Sequence, residues 1–390
     1  MSVNAQYRNR INVLLLTGGL TYGGAERQVV ELANSLDQEK FNTFVCSLTG
    51  YNPLSINLRS EFVVILKKSK YDLSVIPRLR RIVSERRVHI IHSFLFDANI
   101  AARLCRGVRS GPIIISSERN SNYKESILHR LTERATRPLM SLMVSNSVAG
   151  QQFCIESRGM RKDQTAVVHN GVDLQRFQKN VESGRALRQE LQLSDSCRLV
   201  GMIGNYKAQK NHRIFVLMAA KLASDHSDVN FLIVGNPLEG SLEANEVFNK
   251  TKALSSSLGL ADRIKFLSGR DDMVAVYNAC DVTVLPSSRE GTPNVMLESM
   301  ACGTPVVASD VADNAFVLRD NVDGRIVGLR DDESTAIEFS RAVQALLSDR
   351  GKCTKMGVAA RERVEKEFSL ARLAEKTANI YTSLLSRQQG

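Results

Sequence analysis

Short apolar segments alternate with stretches of helical spacing along the whole chain, and this alternation constrains the fold more than any other feature. Because repeated βα units build parallel sheets covered by helices, the pattern predicts the α/β class, with two Rossmann-like, doubly wound domains. The apolar runs lie at residues 11–16, 42–47, 62–66, 89–93, 112–116, 140–145, 165–168, 198–204, 229–234, 263–267, 281–285, 304–308 and 325–328. Helical spacing is clearest at residues 25–36, 72–87, 210–224, 243–258, 271–279, 294–302, 333–348 and 369–387.

The length and the turn-rich segments indicate where the domains divide. A chain of 390 residues is long for a single core and suggests two domains. The break is best placed at the turn-rich stretch 170–177, which a polar segment at 178–185 follows. We therefore predict a first domain at residues 1–177, a second at 178–368, and a terminal helix at 369–390.

The net charge of +11 is concentrated in the first half of the chain. Residues 1–177 carry 25 Lys and Arg against 14 Asp and Glu, whereas residues 178–390 carry 27 of each sign. The excess suggests an anionic partner for the first half, either nucleic acid or an acidic membrane surface. The alternative interpretation is a charge that keeps the protein soluble and has no partner. Seven scattered cysteines without a Cys-x-x-Cys pair fit a reducing cytoplasm.

Glu290 and Glu298 flank a sequence with the features of a helix start. Gly291 and Pro293 break regular structure, and helical spacing begins at Asn294. A helix N-terminus offers backbone N–H groups and a positive dipole end to a phosphate. Carboxylates on both sides of such a site accept hydrogen bonds from hydroxyl groups, as sugars and riboses offer. The segment therefore predicts a nucleotide-sugar site.

Two further segments have features of phosphate sites. Gly23 and Gly24 follow the first predicted strand and open the first helix, where glycines let the backbone approach a ligand. This loop lacks G-x-G-x-x-G spacing, and no acidic residue ends the second strand, which disfavours a nicotinamide cofactor. Lys210 is predicted to begin a helix after the strand at 198–204, where its ammonium group reaches a diphosphate.

Taken together, the spaced glutamates, the segment from Met300 to Val307 and the loop at Gly23 resemble the donor site of retaining glycosyltransferases of family four. The resemblance implies the GT-B fold, in which two Rossmann-like domains face a cleft and a C-terminal helix crosses back to the first domain. It also implies that Glu290 binds the transferred sugar and Glu298 the ribose. Donor-binding residues would be Gly23, Gly24, Asn205, Lys207, Lys210, Glu290, Gly291, Thr292, Pro293, Asn294, Val295 and Glu298.

The chain departs from the family pattern at two positions. Asn205 stands where the family usually has Arg, and Lys207 is a candidate replacement. Glu118 stands where the family has a histidine, so it either orients an acceptor hydroxyl or forms an ion pair with Arg119 or another cation. The resemblance implies catalytic roles for Glu290 and Lys210. Glu118 is a further catalytic candidate, and we expect an acceptor side formed by His92, Glu118 and Arg119. No metal-ligand spacing is found, so we expect metal-independent catalysis without a cofactor.

The resemblance thus implies a retaining hexosyltransferase that uses a UDP- or GDP-sugar. Its acceptor would be a hydroxyl of a glycan or a lipid-linked molecule, in bacterial polysaccharide or lipopolysaccharide synthesis. We expect a cytoplasmic protein that binds anionic membranes peripherally and salt-reversibly, without insertion, through a helix carrying Arg78, Arg80 and Arg81. A sugar-nucleotide epimerase or a phosphorylase on the same fold is the alternative, and a nucleic-acid-binding protein is disfavoured because no binding module is recognisable.

Overall fold

The computed structural model describes residues 10–69, 72–106, 111–119, 126–194, 196–237 and 241–389. The chain divides into two compact units. The first comprises the chain up to Gly171 together with the residues from Leu370 onward, and the second runs from Val172 to Ser369.

The first unit contains a seven-stranded parallel sheet with the order β3-β2-β1-β4-β5-β6-β7. Consecutive residues of its central strand face opposite layers: Val13 and Leu15 belong to one core cluster, Leu14 and Leu16 to another. Helices therefore cover both faces of the sheet. The strands are β1 (Ile11–Thr17), β2 (Phe41–Ser47), β3 (Glu61–Val64), β4 (Ile90–Phe94), β5 (Ile113–Glu118), β6 (Leu142–Ser145) and β7 (Thr165–Val167). The helices are α1 (Gly24–Ser35), α2 (Val75–Glu85), α3 (Phe96–Cys105), α4 (Ile127–Thr136) and α5 (Val148–Glu156).

The second unit contains a six-stranded parallel sheet with the order β10-β9-β8-β11-β12-β13. Here too the sheet is buried on both faces, since Leu199 and Val200 belong to different core clusters. The strands are β8 (Arg198–Ile203), β9 (Val229–Val234), β10 (Ile264–Leu267), β11 (Val282–Leu285), β12 (Val306–Ser309) and β13 (Gly324–Val327). The helices are α6 (Val181–Glu190), α7 (His212–Asp225), α8 (Leu242–Ser257), α9 (Met273–Ala279), α10 (Asn294–Ala301), α11 (Asn314–Val317), α12 (Asp332–Leu347) and α13 (Arg350–Glu367).

The last helix, α14 (Leu370–Gln389), belongs to the first unit although it follows the second in the chain. Leu373 and Tyr381 are buried in the core cluster that also contains residues of α1 and β1. The loop after β7 is also fixed where the first unit ends, because the Gln28 side chain donates to the Gly171 carbonyl and accepts from the Gly171 amide, each at 2.9 Å.

The unit boundaries and the start of the second unit differ from the sequence-based expectations. The first unit ends at Gly171 rather than residue 177, because Val172 and Phe177 are buried in the core of the second unit. The predicted polar segment 178–185 contains the start of α6. Gly184 looks like a helix breaker, but it brings α6 against α9: a Cβ there would lie 2.5 Å from the Asn278 carbonyl oxygen.

Candidate donor site

The predicted donor residues gather where the strand order of the second sheet reverses. From β8 the chain proceeds outward to β9 and β10, then returns to place β11, β12 and β13 on the other side of β8. In an open parallel sheet, the loops after the two strands at such a reversal diverge and leave a crevice for a ligand. Lys210 follows β8, and Glu290 follows β11, so both lie in loops at this switch point.

Backbone and side-chain hydrogen bonds join these two loops. The Ser288 amide donates to the Gln209 carbonyl at 2.8 Å, and the Asn211 side chain donates to the Pro286 carbonyl at 2.9 Å. Asn211 has a left-handed backbone with φ of 53°, a conformation that asparagine adopts more readily than most residues. Sequence reasoning placed a helix start at Lys210. Instead, Lys210 ends a 3₁₀ turn (Ala208–Lys210), and α7 begins at His212, because Asn211 interrupts the helix.

Lys210 and Glu290 are in direct contact. The Lys210 Nζ atom lies 2.6 Å from Glu290 Oε1, and their side chains are 16% and 8% exposed. Two oppositely charged groups that are largely withdrawn from water gain by pairing. The structure thus brings together, from loops 80 residues apart, the cation predicted to hold a diphosphate and the carboxylate predicted to bind a sugar.

The segment between the two glutamates forms a helix start, as the sequence predicts. Pro293 occupies the N-cap position and α10 begins at Asn294, while Gly291, Thr292 and Pro293 are buried. The positive end of the helix dipole therefore lies just after Glu290, where an anion is stabilised. Val295, in the first turn, is partly buried against the core of the second unit.

A buried hydroxyl network fixes α10 to the sheet. The Ser299 and Thr283 hydroxyls are 2.7 Å apart, and the Ser299 hydroxyl also donates to the Thr304 carbonyl at 3.0 Å. Because these groups are buried, each hydrogen bond restricts the position of the helix.

Glu298 is held by a tyrosine that the sequence did not single out. The Tyr277 hydroxyl on α9 donates to Glu298 Oε2 at 2.7 Å, and the two residues are 0% and 4% exposed. A charged acceptor makes this a strong hydrogen bond. The usable sequence signal was a tyrosine within a short, largely apolar helix, since a buried tyrosine needs a partner for its hydroxyl.

Asn205 and Lys207 follow β8 but differ in their surroundings. The Asn205 side-chain oxygen accepts from the Asn236 amide at 3.2 Å, so it joins the loops after β8 and β9. Lys207 is exposed, directly before the 3₁₀ turn. Replacement of the usual arginine by Lys207 stays a prediction.

The glycine-rich loop lies in the first unit, at the corresponding switch point between β1 and β4. Gly23 is the N-cap of α1, and Gly24 is the first residue of the helix. A Cβ on Gly23 would lie 2.0 Å from a carboxylate oxygen of Glu26, so a larger residue there displaces that side chain. The loop thus opens a helix after a central strand, as the sequence predicts.

His92 is a buried residue within β4, with both ring nitrogens engaged. Nδ1 lies 2.7 Å from the Tyr381 hydroxyl of α14, and Nε2 lies 2.7 Å from the Ser117 hydroxyl of β5. The ring stacks on Phe94 with centroids 4.4 Å apart. Burial, with a smaller effect of Arg119, holds the pKa of His92 well below its usual value, so the ring is neutral. His92 therefore connects the terminal helix with the sheet.

Glu118 forms an ion pair, and its cation is Arg158 rather than Arg119. Glu118 Oε2 lies 2.7 Å from Arg158 Nη2, with side chains 9% and 5% exposed, while Oε1 accepts from the Arg119 amide at 3.0 Å. The Arg158 guanidinium also lies 3.8 Å from Glu133, which pairs with Arg103. Glu118 is thus one end of a buried charge network that links β5 with the turn after α5 and with helices α4 and α3.

Arg119 has a separate set of contacts. Its Nη1 atom donates to the Asn170 side-chain oxygen at 2.8 Å, and its guanidinium lies 5.0 Å from the centre of the Phe94 ring. Burial lowers the pKa of Arg119 to about 10, and the group remains charged at neutral pH. Its Nε atom has no hydrogen-bond partner within the described part of the chain.

Most of the chain matches two glycosyltransferase family models. Residues 22–176 match the model described as Glycosyltransferase Family 4, and residues 184–363 match Glycosyl transferases group 1. The chain belongs to the family 4 glycosyltransferases. The family resemblance expected from the sequence is confirmed.

Two curated relatives illustrate how this glycosyltransferase compares with others. A D-inositol 3-phosphate glycosyltransferase of Nocardia farcinica is 31% identical over 247 residues, which are 62% of this chain and 52% of the relative. The Escherichia coli UDP-Gal:alpha-D-GlcNAc-diphosphoundecaprenol alpha-1,3-galactosyltransferase is 22% identical over 93% of this chain and 94% of its own. The chain thus spans about half the length of the inositol phosphate enzymes that it matches.

A solved structure has the same fold. HepE of Anabaena, determined in complex with UDP, matches this glycosyltransferase with a TM-score of 0.82, covering 96% of this chain and 100% of that one at 19% identity. The predicted GT-B fold with Rossmann-like domains is confirmed.

Proposed function

We propose that the protein is a metal-independent retaining hexosyltransferase that moves a sugar from a UDP- or GDP-sugar to a hydroxyl of a glycan or lipid-linked acceptor. The observation that carries the proposal is the contact between Lys210 and Glu290 in front of the α10 N-terminus, at the switch point of the second sheet. In this proposal the ammonium group and the helix dipole bind the diphosphate, and the two carboxylates bind the sugar and the ribose.

Each part of the donor has a partner of matching chemistry. The diphosphate is held by Lys210 and the first turn of α10, from Thr292 to Val295, which stabilise the charge that develops on the leaving group. Glu290 accepts hydrogen bonds from the hydroxyls of the transferred sugar. Glu298, held by Tyr277, accepts hydrogen bonds from the ribose.

Lys210 changes partners as the donor binds. In this structure the Lys210 ammonium is neutralised by Glu290. A diphosphate carries more negative charge than one carboxylate, so it draws the ammonium towards itself, and Glu290 then takes sugar hydroxyls as donors. Because the cation and the helix dipole neutralise the leaving group, the proposed mechanism needs no metal ion.

The acceptor and the cellular role are proposed from the relatives. The Escherichia coli relative is named as a galactosyltransferase acting on a diphosphoundecaprenol-linked sugar, and it matches nearly the whole chain. It supports a lipid-linked acceptor, at the cytoplasmic face of a bacterial membrane, in polysaccharide or lipopolysaccharide synthesis. Among the helices of the described ranges, none has the length and apolar character required to cross a bilayer.

Substitution of Glu290 tests the proposal. A thermal-shift panel of UDP-, GDP- and ADP-sugars first identifies the donor, and turnover is then measured with acceptor extracts. Glu290→Gln removes a charged acceptor, so turnover falls roughly ten- to a hundredfold while nucleotide binding changes little. Near-normal turnover would remove Glu290 from the site. Release of nucleoside diphosphate only when acceptor is added would exclude an epimerase and a phosphorylase.

A further inference from the structure

In helix α4 the most buried side chains are polar, and the large apolar side chains face solvent. Glu133 and Thr136 are its most buried residues, at 3% and 7% exposure. Three large apolar side chains on the same helix are exposed to solvent instead: Ile127 at 68%, Leu128 at 54% and Leu131 at 59%. A surface helix ordinarily turns its apolar stripe to the core and its charges to water.

The exposed apolar residues form one continuous face. At about 100° per residue, Ile127, Leu131 and Leu128 span an arc of about 100°, centred roughly opposite the direction of Glu133. Arg130 and Arg134 are both exposed and lie along one border of that arc. We name this face, formed by Ile127, Leu128, Leu131, Arg130 and Arg134, the α4 face.

The buried side of α4 explains why the helix does not turn its apolar face inward. Glu133 pairs with Arg103, which is fully buried, and lies 3.8 Å from Arg158. The Arg103 guanidinium also donates to the Thr136 hydroxyl at 3.2 Å. Rotating the helix would leave these buried charges without partners, at a cost larger than that of exposing three apolar side chains. The orientation of the α4 face is thus fixed by the fold.

We propose that the α4 face docks on the surface of an anionic lipid bilayer, with its three apolar side chains entering the interface and its arginines contacting lipid phosphates. An amphipathic helix with bulky apolar residues beside arginines suits that boundary. Charge complementarity selects this occupant, since the first 177 residues carry 25 basic against 14 acidic side chains. A second copy of the chain fits less well, because it would place like-charged arginines beside each other. This inference rests on the proposed function in one respect, which is that docking would bring the enzyme to a lipid-linked acceptor.

The structure also assigns docking to α4 rather than to the arginines of α2. The Arg80 side chain donates to the carbonyls of Leu104 and Cys105, at 2.9 and 3.2 Å. Arg81 pairs with Glu85 at 2.7 Å, and Arg78 donates to the Leu66 carbonyl at 3.0 Å. The α2 arginines already have backbone carbonyls or a carboxylate of the same chain as hydrogen-bond acceptors. The α4 face, in contrast, has exposed arginines beside exposed apolar side chains.

Co-sedimentation of the full chain with vesicles tests this proposal. The probes are vesicles of phosphatidylglycerol and phosphatidylcholine in equal parts, and vesicles of phosphatidylcholine alone, at low and high salt. Ile127→Gln, Leu128→Gln and Leu131→Gln together should lower partition to the anionic vesicles at least about tenfold, because three apolar side chains no longer leave water. Glutamine keeps helix propensity, so the variant retains its fold.

A matched variant in the second unit separates the α4 face from general hydrophobicity. Leu242→Gln, Leu258→Gln and Val358→Gln remove three other exposed apolar side chains and should leave partition unchanged. Arg130→Ala with Arg134→Ala should remove most of the preference for anionic over neutral vesicles. Parent-like sedimentation of the α4 triple variant would overturn the proposal. So would concentration-dependent association of the parent, in sedimentation velocity, that this variant abolishes.

Nucleotide binding keeps the two proposals distinguishable. Measured by calorimetry without vesicles, it should be the same in the parent and in the α4 triple variant, because the change is confined to a surface helix of the first unit. A parent that binds vesicles through α4 but binds no nucleotide would overturn the proposed function and leave the docking surface standing.

Discussion

The Tyr277 hydroxyl donates to Glu298 Oε2 at 2.7 Å, and both residues lie almost entirely out of water. The carboxylate on α10 therefore has its direction set by a side chain on the preceding helix. The Thr304 hydroxyl in turn donates to the Tyr277 carbonyl at 2.8 Å, which fixes the tyrosine backbone. Tyr277 is thus a positioning residue for the proposed ribose contact.

Removing that hydroxyl should weaken recognition of ribose. In Tyr277→Phe the ring still packs against Phe177, whose centroid is 6.0 Å away, but Glu298 loses a charged hydrogen bond of about 1.5–3 kcal/mol. We expect binding of the nucleoside diphosphate to weaken roughly tenfold, and its advantage over the 2′,3′-dideoxy analogue to shrink. Calorimetry with both nucleotides measures the effect.

Glu298→Gln is the control for this experiment. If it removes the preference for ribose while Tyr277→Phe does not, the tyrosine has only a packing role. If neither variant changes the preference, Glu298 is not the ribose contact.

Lys210→Ala should affect the diphosphate more than the nucleoside. The ammonium contact is electrostatic, so the loss should appear with the nucleoside diphosphate and be nearly absent with the bare nucleoside. Lys207→Ala, at the exposed candidate cation three residues earlier, shows whether a second ammonium also contacts the diphosphate. Equal losses for both ligands, measured by calorimetry, would mean that Lys210 does not touch phosphate.

Arg158→Met should be strongly destabilising. The substitution leaves the Glu118 carboxylate buried without its cation, and breaking a buried pair in this way typically costs about 3–5 kcal/mol. Arg161→Met removes an ion pair whose side chains are 72% and 68% exposed, so it should change the free energy of unfolding by less than about 1 kcal/mol. Urea denaturation compares the two. Equal stabilities would favour an acceptor-orienting role for Glu118.

The protein should lose stability as the pH falls below about 6.5. Burial lowers the pKa of His212 from 6.5 to about 4. Between these two pH values His212 is protonated in the unfolded chain and neutral in the folded protein. The free energy of unfolding therefore decreases between pH 6.5 and 4, by up to about 1.4 kcal/mol per pH unit for this residue. His92 acts in the same direction. Urea titrations of the parent and of His212→Gln should show a shallower dependence in the variant; identical slopes would contradict this assignment.

The central strands of both sheets were predictable because they are almost entirely buried. In β4 and β5 every residue from Ile90 to Phe94 and from Ile113 to Glu118 is buried, and such runs of apolar residues are visible in the sequence. Each predicted apolar run forms a strand. The helix N-terminus between Glu290 and Glu298 was visible for a related reason, because glycine and proline mark it.

The remaining features depend on tertiary contacts that no local pattern records. Helix α4 was not predicted, since its buried side is charged and its apolar side is exposed. The pairing of Glu118 with Arg158 joins residues 40 positions apart, and that of Tyr277 with Glu298 depends on how two helices pack. The helix begins after Lys210 rather than at it, because Asn211 adopts a left-handed backbone conformation. Helix propensities do not predict that conformation.

The position of α14 has a consequence for how the chain is built during translation. The first unit holds Leu373 and Tyr381 in its core, so the sheet that emerges first from the ribosome lacks part of its packing until residues 172–369 have been synthesised. The second unit is continuous in sequence and completes its core from its own segment. The segments of the second unit's core are therefore all synthesised before the first unit's core is complete, and part of the apolar surface of the first unit stays uncovered until α14 is made.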